Sequence, residues 1–135
     1  MALKTYNGSC LCGAIQFEAD IDLSKGTGKC NCEFCVKTHA WKVFVKPEEL
    51  RLISGESKAK LFKRHPQASE RYFCSDCGVY LYERGNAEWM GGPFAGVYLH
   101  ALNNASVDEL MSGPIRYANG KDNDWMHAPA DVRNL

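Results

Sequence analysis

Within residues 14–19 apolar and polar positions alternate, with Ile15, Phe17 and Ala19 on one parity and Gln16 and Glu18 on the other, the period of a half-buried strand. Residues 41–45 are aromatic and β-branched, and residues 50–53 run into Ser54-Gly55, a turn pair. Four further runs, residues 58–63, 71–74, 79–83 and 97–101, are cut from one another by Gly, Pro, Asn and Ser. Helical signals are short: residues 33–38 suit a turn or two, and Ser106 with Glu109 three positions on opens a capping box that Gly113-Pro114 brings to a stop. The expected fold is mainly β. From about residue 114 the pattern loses its period, and an extended tail carrying Trp125 and packing back on the body is expected. Asn7-Gly8-Ser9 and Asn104-Ala105-Ser106 read as loops, and Gly91-Gly92-Pro93-Phe94 reads as a turn with packed aromatics.

A length of 135 residues suits one domain, spanning 1–135 with that tail at its end. Sixteen basic and sixteen acidic side chains cancel. A formally neutral chain lacks the basic excess that neutralising many phosphates requires, so nucleic acid is excluded as a first partner. No apolar run is long enough for a bilayer and the first seven residues have no leader-like apolar stretch, so a soluble cytoplasmic protein with no membrane partner is expected.

All seven cysteines fall in three groups: Cys10 and Cys12, then Cys30, Cys32 and Cys35, then Cys74 and Cys77. In a reducing compartment such clustering points to metal or catalysis, and an odd number would strand one thiol in a disulfide framework. Thiolates are preferred zinc ligands, and a structural site takes four of them. In C-x-C both side chains leave an extended chain on the same face, and C-x-x-C followed by glycine turns both sulfurs towards one ion. Glycine follows Cys12 and Cys77 but not Cys35, an internal hint that the outer groups form one four-cysteine site, and that pairing leaves a trio. Three protein ligands leave a coordination position open, the arrangement of a catalytic rather than a structural zinc. His39, four residues after Cys35, could instead close that position. Seven thiolates and two zinc ions would bring the neutral chain to about −3.

Gly8-Ser9-Cys10-Leu11-Cys12-Gly13-Ala14, the C-x-C-x-x-C of Cys30 to Cys35, and Phe73-Cys74-Ser75-Asp76-Cys77-Gly78, in this order, resemble the glutathione-dependent formaldehyde-activating enzyme family, which includes centromere protein V. The resemblance implies an Mss4-like β-tent, mainly β with short helices and stapled by zinc. It implies structural zinc at Cys10, Cys12, Cys74 and Cys77 and catalytic zinc at Cys30, Cys32 and Cys35, two ions per chain. The implied activity is that of a carbon–sulfur lyase condensing glutathione with formaldehyde or a related small aldehyde. Residues 36–40, Val-Lys-Thr-His-Ala, depart from the basic or amide residue and nearby glycine that often follow the last cysteine of the trio, so a substrate pocket that differs from the family's is expected.

Lys29, Lys37, Lys42 and Arg84 are cations of the kind glutathione's carboxylates require, though such side chains are mostly solvated and none is singled out. His65, His100 and His127 read as surface or hydrogen-bonded histidines, and Tyr80, Tyr82, Trp89 and Trp125 as packing aromatics. Residues 25–29 lack the first glycine and the Ser or Thr of a phosphate loop and read as a flexible approach to the middle cysteines. A non-catalytic β-tent zinc module that binds a protein partner is the alternative function, and a redox or metal-handling trio a weaker third.

Overall fold

The computed structural model describes residues 3–135. The strands are β1 (Lys4–Ser9), β2 (Gln16–Ile21), β3 (Thr27–Cys30), β4 (Lys42–Val45), β5 (Leu50–Ser54), β6 (Ala59–Phe62), β7 (Glu70–Cys74), β8 (Tyr80–Ala87), β9 (Gly92–Tyr98) and β10 (Ile115–Ala118). Two short helices, α1 (Glu33–Thr38) and α2 (Val107–Leu110), and six single turns of 3-10 helix complete the described elements. The strands form a small sheet in the order β1-β2-β5 and a large one in the order β10-β3-β4-β9-β8-β7-β6. Every pairing is antiparallel except β10 with β3.

The alternation along β2 is what joins the sheets. Phe17, Ala19 and Ile21 are buried, with Ile15 just before them, and they form one apolar cluster with Val43 of β4, Leu81 and Tyr82 of β8 and Ala95 and Val97 of β9. The polar parity of β2 is used across the small sheet. Asp20 takes hydrogen bonds from Arg51 of β5 through both guanidinium branches, at 2.8 and 2.9 Å, and from Thr5 of β1 at 2.7 Å.

Mainly β is the observed class, and the capping box at Ser106 is formed: Ser106 Oγ accepts from the Glu109 amide and Glu109 Oε1 accepts from the Ser106 amide, both at 3.1 Å. Three strands depart from expectation. β1 includes Asn7-Gly8-Ser9, which is therefore strand and not loop; only Tyr6 and Gly8 are buried in it, too little apolar surface to show as alternation. β3 absorbs residues 27–29 of the supposed flexible approach; its buried positions are Thr27 and Cys30. β10 turns part of the expected tail into the edge strand of the large sheet, held by its parallel register with β3. The run at 97–101 ends as strand at Tyr98 and continues as a 3-10 turn, with Leu99 and Ala101 still buried.

Candidate metal centres

Cys10 and Cys12 lie in the turn between β1 and β2, closed by Cys10 N to Ile15 O at 3.2 Å, and Cys74 ends β7 with Cys77 in the turn to β8, closed by Gly78 N to Cys74 O at 2.8 Å. Gly13 and Gly78, which follow the two pairs, have φ of 79° and 76°, so each turn needs the left-handed conformation that glycine adopts without a Cβ penalty. The turns belong to different sheets, and they bring the four sulfurs within 4.8 Å of one another. Cys10 Sγ and Cys74 Sγ each stand 3.7 Å from Cys12 Sγ. A tetrahedron with zinc–sulfur bonds of about 2.3 Å has edges of about 3.8 Å, so the donors are already spaced for that ion. Amides of Ile15 and Asp76 point at Cys10 and Cys74 at 3.4 Å, and backbone hydrogen bonds from Cys12 and Val79 hold the Cys77 thiol down to about 6.

The second group is built on α1. Cys30 ends β3, Cys32 is the N-cap of α1 with its sulfur 3.5 Å from the Cys35 amide, and Cys35 sits one turn in. The Cys32 amide lies 3.3 Å from Cys30 Sγ. All three sulfurs lie within 4.8 Å of one another and all three residues are buried. Contacts with the Cys30 and Cys35 sulfurs hold the Cys32 thiol well below its ordinary range, with the Lys42 ammonium adding to them, while the Cys30 and Cys32 sulfurs push the Cys35 thiol up. His39 does not join the group. It caps α1 in the left-handed conformation, φ 53°, and lines a pocket of about 20 Å³ behind Cys30 and Cys35.

The trio opens onto a cleft of about 1130 Å³, which Trp89, Met90, Phe94 and Trp125 also line. Its floor is the face of the large sheet turned away from the main core. In register, Lys42 faces Tyr98, Glu83 faces Gly96, and Arg71 faces Glu83, so one parity across β4, β9, β8 and β7 carries all of them. Gly96 leaves the gap through which Glu83 reaches Lys42: a Cβ there would stand 2.6 Å from Glu83 Cγ. The Lys42 Nζ to Glu83 Oε1 distance is 2.6 Å, both side chains are buried, and although burial opposes the charge, the carboxylate holds the ammonium above its usual range. Phe34, between Cys32 and Cys35 on α1, lies under the Arg71 guanidinium, 4.2 Å from its carbon to the ring centroid.

The chain after β10 closes one side of this region. Asn31 donates to Asn119 Oδ1 at 2.9 Å and accepts from the Lys121 amide at 3.0 Å. A Cβ on Gly120 would stand 2.5 Å from Cys30 Sγ and 2.6 Å from the Trp125 ring, so no larger residue fits between sulfur and indole without a shift.

Of the cations raised from sequence, Lys42 is paired as above, Lys29 lies 5.4 Å over the Trp41 ring, Lys37 is exposed, and Arg84 sits 3.5 Å from Pro47 O. His100 Nε2 lies 2.8 Å from Tyr80 O, His127 Nδ1 lies 3.1 Å from Asp124, and His65 lines the cleft. Tyr80 packs edge-on against Phe34, and Tyr82 stacks on Tyr72. Of residues 91–94, read as a turn, only Gly91 turns; Gly92, Pro93 and Phe94 open β9, and Phe94 with the neighbouring Trp89 and Met90 walls the cleft. Arg71, Glu83, Tyr98, Asn31 and Gly120 had no motif to mark them. The one available signal was a charged residue inside an apolar run, Lys42 between Trp41 and Val43, which implies a buried partner.

No helix among the described residues is long and apolar enough to cross a membrane. A family model described as glutathione-dependent formaldehyde-activating enzyme matches residues 5–109. No curated protein matches the chain. A crystal structure of a protein from Rhodobacter sphaeroides, a structural-genomics target, superposes with a TM-score of 0.66 at 22% identity, covering 81% of this chain and 98% of that one, which shows a shared fold. The two sheets and short helices are those of the Mss4-like β-tent.

Proposed function

The chain belongs to the glutathione-dependent formaldehyde-activating enzyme family, and from that premise we propose that it is a carbon–sulfur lyase working at Cys30, Cys32 and Cys35, with Cys10, Cys12, Cys74 and Cys77 holding a structural zinc. The reaction joins the thiol of glutathione to formaldehyde or a related small aldehyde. A sulfur–carbon bond forms, the carbon–oxygen π bond breaks, and the thiol proton ends on the new hydroxyl oxygen. The observation that carries this reading is the buried trio opening onto the cleft, with His39 outside the sulfur group. Bound by three thiolates, zinc would supply a Lewis-acidic position suited to a fourth, soft ligand.

The chain's own residues prepare that position. Amides of Cys32 and Cys35 point at sulfur and fix the orientation of the trio. The Lys42 ammonium, held in place by Glu83, favours thiolates at Cys32 and Cys35. Phe44, Phe94 and Trp125 give the cleft apolar walls against which the aliphatic part of a thiol substrate can pack. The test is zinc content and aldehyde consumption in the presence of glutathione, followed by proton NMR of the adduct, for the wild type and Cys32→Ser. The expected result is two zinc ions in the wild type, and in the variant a folded protein with one ion and no turnover above the uncatalysed rate. A wild type that holds both ions and gives no acceleration would instead leave a zinc module that binds a protein partner.

A further inference from the structure

Beneath the cleft two buried polar groups lack partners. The Nε and Nη1 atoms of Arg71 and the hydroxyl of Tyr98 are inaccessible and make no hydrogen bond among the described residues. Arg71 is 9% exposed and Tyr98 1%. Leaving such donors unsatisfied costs free energy that a folded chain seldom concedes without a compensating ligand. The charges around them are otherwise committed: Lys42 and Glu83 neutralise each other, which leaves the guanidinium as the uncompensated cation of the floor. Phe34 braces its plane from α1, within one helical turn of two of the cysteines. Of the other cations that line the cleft, Lys25, Lys46, Arg64 and Arg116 are exposed and solvated, and Lys29 is half-buried with its ammonium over the Trp41 ring, so none is a buried cation without a partner as Arg71 is.

A guanidinium presents parallel N–H groups that match the two oxygens of a carboxylate. We propose that Arg71 is the subsite for a carboxylate of the thiol substrate, with the Tyr98 hydroxyl on the same sheet face as a second donor. This rests on the reading of the trio as the centre that receives the thiol, and it adds what distinguishes one thiol from another: a carboxylate held by Arg71 while the sulfur reaches the cysteines. Glutathione carries such groups; small neutral thiols do not. The competing role for Arg71 is to balance the net negative charge that three thiolates and one divalent ion would place on the other side of Phe34.

Calorimetric titration of the zinc-loaded protein with glutathione, glutathione diethyl ester and S-methylglutathione separates these roles. For Arg71→Met the expected result is glutathione binding weakened on the order of ten- to a hundredfold, as for loss of charge-assisted hydrogen bonds, with the diethyl ester bound as by the wild type. Tyr98→Phe should weaken glutathione by a smaller factor in the same ligand-selective way. Equal weakening of acid and ester, together with loss of zinc, would assign Arg71 to charge balance and overturn the subsite, and so would no weakening of either. Equal affinity of the wild type for glutathione and its S-methyl derivative would overturn the thiol-receiving reading of the trio, while an acid-over-ester preference lost in Arg71→Met would still stand. A wild type that binds none of the three ligands overturns both.

Discussion

The two cysteine groups use the same ligand atom in opposite surroundings. Cys10, Cys12, Cys74 and Cys77 come from two hairpin turns of two different sheets, with Cys12 exposed and Cys77 partly so, and their partners are backbone amides. Cys30, Cys32 and Cys35 come from one strand end and one helical turn, are buried throughout, and face a cleft floored by Lys42, Glu83 and Arg71. A cross-link between sheets contributes by holding distant parts of the chain together. On the function proposed above, a cluster local in sequence and next to buried charge contributes little to tertiary closure and serves the chemistry of whatever enters the cleft. Ligand type alone therefore does not divide structure from function; the elements that each group joins do.

The sharpest break of this comparison is a serine in each group. Cys77→Ser should cost most of the folding free energy, since structural zinc supplies apparent binding energy on the order of 10 kcal/mol, whereas Cys32→Ser should keep its circular dichroism and a cooperative thermal transition. Equal unfolding of both variants would erase the distinction. Next in size, Glu83→Gln strands the Lys42 ammonium in the sheet and should destabilise by about 3–5 kcal/mol in urea unfolding, with most of the loss recovered in the double variant Lys42→Met/Glu83→Gln.

Gly120→Ala sharpens the comparison from the tail side. The new methyl group meets Cys30 Sγ and Trp125, so zinc at the trio should dissociate on the order of tenfold more readily in a chelator competition, with the four-cysteine ion retained. The smallest effect belongs to neither centre. Glu109 Oε2 accepts from Tyr6 and Lys4 at 2.7 and 2.8 Å, which, led by Lys4, lower its carboxyl from 4.5 to about 2. A depressed carboxyl stabilises the fold fully above its unfolded value and loses that contribution as pH falls through the folded one. Thermal unfolding should thus show Glu109→Gln below the wild type above pH 4.5, with the gap closing towards pH 2.

Local chemistry was legible wherever a short stretch carried its own cause. The alternation in β2, the capping box of α2 and the glycine after each outer cysteine pair depend on neighbours in the chain, and each was readable from it. β1, β3 and β10 were not, because few of their positions are buried: Tyr6 and Gly8 in β1, Thr27 and Cys30 in β3, and none in β10, where Ala118 packs partly buried against the cysteine trio. Those strands exist because the neighbouring strand supplies hydrogen bonds, an energy that no pattern within the segment records.

By itself the sequence determined a mainly β domain, the partition of its seven cysteines into four and three, and through them a resemblance to a family of known chemistry. Only the tertiary structure decided that His39 stays outside the trio, that Lys42 pairs with Glu83, and that Arg71 lies buried without an acceptor over the Phe34 ring. The physical reason is separation along the chain: cysteine spacing is a property of a few consecutive residues, whereas the floor of the cleft is one face of four strands whose register is set by backbone hydrogen bonding, with α1 and the chain after β10 packed around it.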